Sequence, residues 1–232
     1  MTKHIKKVSG LSRREVLVGS AAGAGLVIGY SVLPNAVDSA SKAIAAGEWN
    51  HQQYLTMDAD GKAIVHVTKC ELGQHIATAL AQAVAEELEI NWDDVSVDYP
   101  DSHAKWGLML TGGSWSVNWT FDRNSRIGAS ARIALIEAGS KMMKAMPANC
   151  YAKNSRVYTA DGSKSVSYKE ILSSNTIDRT FSEEEMKSIK LKSYGEYTIV
   201  GQSKQPFDLP PKIDGSAKYG ICLLYTSPSP RD

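Results

Sequence analysis

At 232 residues, with 43% hydrophobic residues and a formal charge of +1, the chain is long enough to bury a sizeable core and is too apolar to be a disordered one. Lys3, Lys6, Lys7, Arg13 and Arg14 all precede Glu15, and without them 21 basic residues face 25 acidic ones. The body is therefore mildly acidic and has no general grip on nucleic acid.

The chain opens on a basic segment, Lys3 to Arg14, followed from Val16 to Leu33 by an uncharged stretch rich in Ala, Gly, Val and Leu. That is the layout of an export signal, and the paired arginines in Ser12-Arg13-Arg14-Glu15-Val16-Leu17 resemble a twin-arginine signal, expected over residues 1–45. An uncleaved membrane anchor is the alternative, since Val16 to Leu33 is just long enough to span a bilayer, although its small residues make it weakly hydrophobic. Ser39-Ala40-Ser41 and Ala43-Ile44-Ala45 both offer small-residue cleavage sites.

Gln53–Met57 and Ala63–Val67 have strand character around Asp58-Ala59-Asp60-Gly61, which predicts a β-hairpin. After the turn Glu71-Leu72-Gly73-Gln74-His75, the residues Ile76, Leu80, Val84 and Leu88 recur every fourth position, predicting an amphipathic helix that ends near Glu89. Asp93-Asp94 breaks it, and Val95 and Val97 begin a strand. Beyond the turn Thr111-Gly112-Gly113-Ser114-Trp115-Ser116, with Ser116 as candidate N-cap, the residues Ile127, Ala131, Ala134, Leu135, Ala138, Met142 and Met146 mark a longer helix stopping before Pro147, its methionines read as core filler. A second hairpin is expected at 156–167, then short helices over Tyr168–Leu172 and Ser182–Ile189, the latter with a Ser182/Glu185 capping box. Phe207 to Lys212 reads as a stiff connector. Together these elements predict an α+β fold.

Both turns place small residues, an amide or hydroxyls beside a helix start, which suits backbone N–H groups that hold an oxygen-rich ligand. Gly73 allows close approach of the main chain, and Gln74 brings a donor and an acceptor without charge. Each turn alone is equally well an ordinary loop. Cys70, Glu71 and His75 lie within six positions but lack an established metal spacing, so no metal ligands are assigned, and three widely spaced cysteines define no disulfide framework. Trp106, Trp115 and Trp119 read as core or interface, with an aromatic substrate channel as the alternative.

The ordered set Glu71-Leu72-Gly73-Gln74-His75, Glu86-Glu87-Leu88 and Thr111 to Ser116 resembles the molybdopterin-binding large subunit of the xanthine dehydrogenase and aldehyde oxidase family, in its exported isoquinoline 1-oxidoreductase-like branch. Pro210-Pro211-Lys212-Ile213-Asp214-Gly215-Ser216-Ala217 resembles the lead-in to that family's hammerhead domain. The resemblance implies an N-terminal portion of a molybdenum-cofactor-binding domain over 50–204, a linker and truncated α/β hammerhead start over 205–221, and a periplasmic or membrane-tethered location. It further implies a molybdenum–molybdopterin cofactor, in the cytosine dinucleotide form, held by Gly73, Gln74, His75, Gly112, Gly113, Ser114 and Ser116. The implied reaction is oxidation of an aldehyde or N-heterocycle with water-derived oxygen. Implied partners are a small subunit with two-iron two-sulfur clusters, an electron acceptor such as a c-type cytochrome, and the twin-arginine export machinery. Position 75 is His where the family usually has Gly. The family's general-base glutamate lies beyond residue 232, so no glutamate here inherits that role, no catalytic residue is assigned, and the chain alone is expected to be inactive. Residues 222–232 resemble sequencing or cloning read-through rather than a native tail. The rival expectation is a non-catalytic periplasmic binding or scaffold protein whose two turns are purely structural.

Overall fold

The computed structural model describes residues 26–29, 53–174, 177 and 179–219. The expected signal, apart from 26–29, and the tail at 222–232 lie outside the described residues, as do both cleavage sites and Cys222. Leu26–Gly29 (β1), inside the expected signal stretch, forms a strand antiparallel to Gln53–Met57 (β2). β2 runs antiparallel to Ala63–His66 (β3) with Thr56 opposite Ile64, the hairpin expected from the Asp-rich turn. Asp58 shapes that turn, its Oδ1 accepting from the N–H groups of Asp60 and Lys62.

Helix α1, Ile76–Leu88, carries the chain back so that Val95–Asp98 (β4) lies parallel to β3. A parallel neighbour requires such a crossover, and the helix buries its Ala, Leu and Val stripe over the sheet. The four strands stand in the order β1-β2-β3-β4. Glu89 ends α1 in the left-handed conformation, as the periodicity predicted to within a residue.

Helix α2, Ser116–Met143, is longer than its apolar pattern suggested. At 28 residues it spans about 42 Å at the usual rise. It packs along α1 and the first sheet, then reaches a second sheet of Cys150–Lys153 (β5), Arg156–Thr159 (β6) and Ser165–Ser167 (β7), all antiparallel. The methionine expectation needs correction: Met142 is 39% and Met146 67% exposed, whereas Gly139 and Met143 face inward. α2 ends at Met143, short of the stop expected before Pro147, so Met146 lies beyond the helix, while at Met142 a four-residue step has overshot the 3.6-residue turn and carried the stripe off the core.

Tyr168–Ser174 (α3) and Glu183–Ser188 (α4) follow, the second with the expected reciprocal Ser182/Glu185 cap. Tyr168 is fully buried and its hydroxyl donates to the Leu88 carbonyl at 2.6 Å, satisfying one of the orphan acceptors at the end of α1. Tyr168→Phe strands that carbonyl and is expected to cost about 1–3 kcal/mol, read as a lower urea midpoint at unchanged slope. The expected stiff connector is instead the short helix Leu209–Ile213 (α5): prolines at its start preset the first-turn backbone and lack only N–H groups that would go unused there. It folds back onto the domain, with the Phe207 ring 5.1 Å from that of Trp92 and the Phe207 N–H donating to Thr78 Oγ1. No described helix is long and apolar enough to cross a membrane.

Candidate functional site

The two turns singled out in the sequence lie side by side. Cys70 N–H donates to Thr111 Oγ1 at 2.8 Å, and Lys69 Nζ donates to the carbonyls of Leu110 (2.8 Å) and Leu108 (3.4 Å), so the chain leaving β3 is laced to the loop entering the second turn. A cleft of about 330 Å³ is lined from one side by Leu72, Gln74, Ile76 and Ala79, and from the other by Thr111, Gly112, Ser114, Ser116 and Val117. A second, of about 250 Å³, shares Gly112 and Ser116 and is walled by Leu110, Gly113, Trp115 and Trp119.

Six residues other than glycine have positive φ among those described. Glu89 and Lys144 are left-handed helix C-caps, and Asn154 and Ser155 make the tight β5–β6 turn, all ordinary uses of that conformation. The other two, His75 (φ 58°) and Ser114 (φ 57°), stand just ahead of α1 and α2, the first closing its turn and the second within its own. Neither has the freedom of glycine there, so local strain is concentrated beside the clefts.

The first turn is satisfied largely by itself. Glu71 Oε1 accepts from Gly73 N–H at 2.7 Å and His75 N–H at 2.9 Å, while Gln74 Oε1 accepts from Leu72 N–H and its Nε2 donates to the Cys70 carbonyl. The expectation that these groups wait for a ligand is therefore corrected: a carboxylate of the chain already holds two of the N–H groups, and the Gln74 amide folds back onto its own turn. Gly73 and His75 line neither cleft. His75 turns the other way, its Nδ1 3.0 Å from Asp208 Oδ1, and Lys212 Nζ bonds the other Asp208 oxygen. Burial alone would raise the Asp208 carboxyl, but the Lys212 and His75 bonds outweigh it and hold it below the ordinary value. Glu71, His75 and Asp208 have ligand-type atoms within 4.8 Å of one another, and the ammonium of Lys212 already sits in this group as its cation.

The second turn is more open. Gly113 and Ser114 are both left-handed, and Trp115 N–H closes the loop onto the Gly112 carbonyl at 3.3 Å. Ser116 is the first residue of α2, not its N-cap; that position is Trp115, which makes no side-chain cap. Among the described residues the Ser114 and Ser116 hydroxyls have no hydrogen-bond partner, so both remain available at the cleft they line. Beneath lies Lys69, only 4% exposed, whose pKa is lowered by burial and then by the nearby Arg123 guanidinium. Trp115 and Trp119 meet edge to face at 4.7 Å, both about half exposed, whereas Trp106 is a core residue against Tyr54 and His66.

Neither Lys69 nor Asp208 was assigned from the sequence. A lysine at the end of an apolar strand was the available signal for the first; nothing local marks an aspartate 133 residues from its histidine.

A small α+β domain thus carries two helix-leading turns, each with a left-handed non-glycine residue, on either side of a common cleft. The molybdopterin cofactor-binding domain family model matches residues 4–223, and the chain belongs to that family. It is 34% identical over 220 residues, 93% of its length, to a membrane-bound aldehyde dehydrogenase [pyrroloquinoline-quinone] of Gluconacetobacter polyoxogenes, covering 28% of that protein. It is 25% identical to the beta subunit of the isoquinoline 1-oxidoreductase of Brevundimonas diminuta, over 91% of this chain and 32% of that one. A nicotinate dehydrogenase subunit of Pseudomonas putida is 24% identical over 72% of this chain and 14% of its own. The chain thus spans about a third or less of the curated relatives it matches.

Proposed function

We propose that the chain is part of the molybdopterin-binding subunit of an exported molybdenum hydroxylase that oxidises an aldehyde or an N-heterocycle. The observation that carries this reading is the meeting of Gln74 with Ser114 and Ser116 across one cleft, in a chain of the molybdopterin cofactor-binding family. The donor set suits such a group: two open hydroxyls, a loop with a glycine pair, and apolar walls from Leu72, Val117 and the tryptophans fit a molecule that is polar at its edges and flat between them. When bound, a molybdenum–molybdopterin cofactor supplies two-electron oxidation with oxygen drawn from water.

The chain's own residues bind and orient. Ser114, Ser116 and the Gly112-Gly113 backbone would hold the cofactor, Gln74 would face it from the turn ahead of α1, and Glu71 keeps that turn in place by holding Gly73 and His75. No described residue is assigned as general base, and the chain alone is inactive. The names of the relatives, an aldehyde dehydrogenase, an isoquinoline oxidoreductase and a nicotinate dehydrogenase, support the substrate classes. Two are named as subunits, which supports a partner; an iron–sulfur subunit passing electrons to a c-type cytochrome fits the proposed reaction. The cytosine dinucleotide form of the cofactor belongs to the same reading. The basic start and uncharged stretch support twin-arginine export to the periplasm, with or without retention of the leader as a tether.

The test is metal analysis of the full reading frame expressed in a host that makes molybdopterin. About one molybdenum per polypeptide is expected, with occupancy falling at least about tenfold in a Gln74→Ala/Ser114→Ala double variant, the size typical of lost supporting contacts. Protein free of molybdenum in such a host sinks the reading in favour of a binding or scaffold protein. The quinone in the name of the Gluconacetobacter relative motivates a second cofactor reading, favoured if acid extraction yields pyrroloquinoline quinone and no molybdenum.

A further inference from the structure

We propose that Lys69 is a buried positioning residue that presets an oxyanion-binding backbone donor, the Thr111 N–H, at the cleft between the two turns; the inference deepens the cofactor reading above and rests on it for the identity of the ligand. Lys69 is 4% exposed and no carboxylate pairs with it among the described residues. An ammonium in that position is costly, and the Arg123 guanidinium adds to the cost by repelling it. What Lys69 does hold is the main chain of the neighbouring loop, through the carbonyls of Leu110 at 2.8 Å and Leu108 at 3.4 Å.

No cis peptide bond occurs among the described residues, and in a trans peptide the C=O and the following N–H point in opposite directions. Pinning the Leu110 carbonyl inward on the ammonium therefore aims the Thr111 N–H away from the core, and pinning that of Leu108 does the same for Met109. Neither N–H donates to another described residue. Thr111 lines the larger cleft beside Gln74, Ser114 and Ser116, and its hydroxyl is kept from swinging over its own N–H because it accepts from Cys70 N–H. The result is an outward N–H, two open hydroxyls, and a positive charge buried behind them with little solvent to screen it. The ligand class that this arrangement takes is a tetrahedral oxyanion, a phosphate group or a metal oxo group. The same geometry explains why the charge is tolerated: its cost falls on stability and its use on binding.

The experiment is amide NMR on the 232-residue chain, titrated with inorganic phosphate and, separately, molybdate, alongside Lys69→Met and Lys69→Arg. The Thr111 amide, with those of Gly112 to Ser114, is expected to shift with a saturable dependence in the wild type. Lys69→Met removes a buried charge but strands the Leu110 and Leu108 carbonyls, so its melting temperature serves only to check that it folds. It should weaken oxyanion binding at least about tenfold, while Lys69→Arg, which can still donate to two carbonyls, restores most of it. A purely structural lysine would leave the oxyanion affinity of folded Lys69→Met unchanged, and that outcome overturns the proposal. Should Lys69→Met fail to fold, the wild-type titration alone decides, since a Thr111 amide unmoved by either oxyanion also overturns it. Failure here leaves the metal content of the full reading frame untouched, and protein without molybdenum that still binds phosphate through Thr111 overturns the cofactor reading alone.

Discussion

Glu86→Ala is expected to be the most damaging single substitution in the described structure, lowering stability by about 3–5 kcal/mol, the range found when one partner of a buried ion pair is removed. Glu86 is 1% exposed on the outer flank of α1, and five donors converge on it. Oε2 accepts from the N–H groups of Thr198 (2.9 Å), Ile199 (2.6 Å) and Val200 (2.9 Å), and Oε1 from Lys192 Nζ (2.8 Å) and Thr198 Oγ1 (3.3 Å). One turn earlier, Gln82 donates to the carbonyls of Ile199 and Gln202. Two residues four apart on α1 thus tie down segment 192–202, none of whose residues is fully buried. Truncation strands three N–H groups and leaves the Lys192 ammonium paired with Glu89 alone among the described residues. For a chain of this size such a loss corresponds to roughly 10 °C in melting temperature, measurable by calorimetry. A shift below about 1 kcal/mol, the value of an ordinary hydrogen bond, would show that segment 192–202 is held by other means.

The same carboxylate carries a pH signature. Burial pushes its pKa up, but the Lys192 bond and the three backbone N–H groups outweigh that and leave it below the ordinary value of 4.5. A depressed carboxyl contributes stability that is present above its unfolded value and lost as pH falls through the folded one. Glu87, also 1% exposed, has the opposite sign: burial dominates there and raises its pKa, even with Arg132 3.5 Å away. The stability of Glu86→Gln should therefore fall less steeply than wild type below about pH 4.5, and an unchanged acid limb would refute the assignment.

Gly128→Ala should be the second severe change, although in an isolated helix it would help by about 1 kcal/mol. Gly128 is where α2 crosses α1: a Cβ there would stand 2.3 Å from the Val84 carbonyl oxygen and 3.1 Å from the Glu87 Cβ. The obstacle is backbone, which cannot step aside by changing rotamer, so the helices must separate. Overpacking of this kind costs about 1–3 kcal/mol, and collision with main chain places it at the upper end even after the propensity gain. The consequence reaches the clefts, since α1 carries Gln74 and α2 carries Ser116 on the turns that begin them. Faster hydrogen exchange in α1 and lower molybdenum content in the full-length protein are expected together. Normal exchange and normal melting in Gly128→Ala would mean that the helices do not approach this closely.

Local chemistry made much of this legible in advance. The hairpin about Asp58 to Gly61, the limits of α1 and the Ser182/Glu185 cap follow from short-range patterns, and each stands where the pattern put it. The pattern failed where no local face existed to read. The first turns of α2, with Asn118, Asp122 and Arg123, are too polar to mark a helix, which forms because its later residues pack on α1 and the second sheet. Strand β5 escaped notice because its turn, Asn154-Ser155, uses two left-handed residues without glycine.

The sequence by itself determined which residues are conformationally special: the glycines and short polar side chains of the two turns, the apolar stripe between them, and the family motifs that run through all three. Only the tertiary structure decided what those residues do to one another. It set the turns on a common cleft, occupied the Gly73 and His75 N–H groups with Glu71, drew His75 to Asp208, and slid Lys69 under the loop that carries Thr111. The reason is range: periodicity and turn preference act within a few residues, whereas a buried charge finds its partners only when packing brings distant segments together and leaves it no water to turn to.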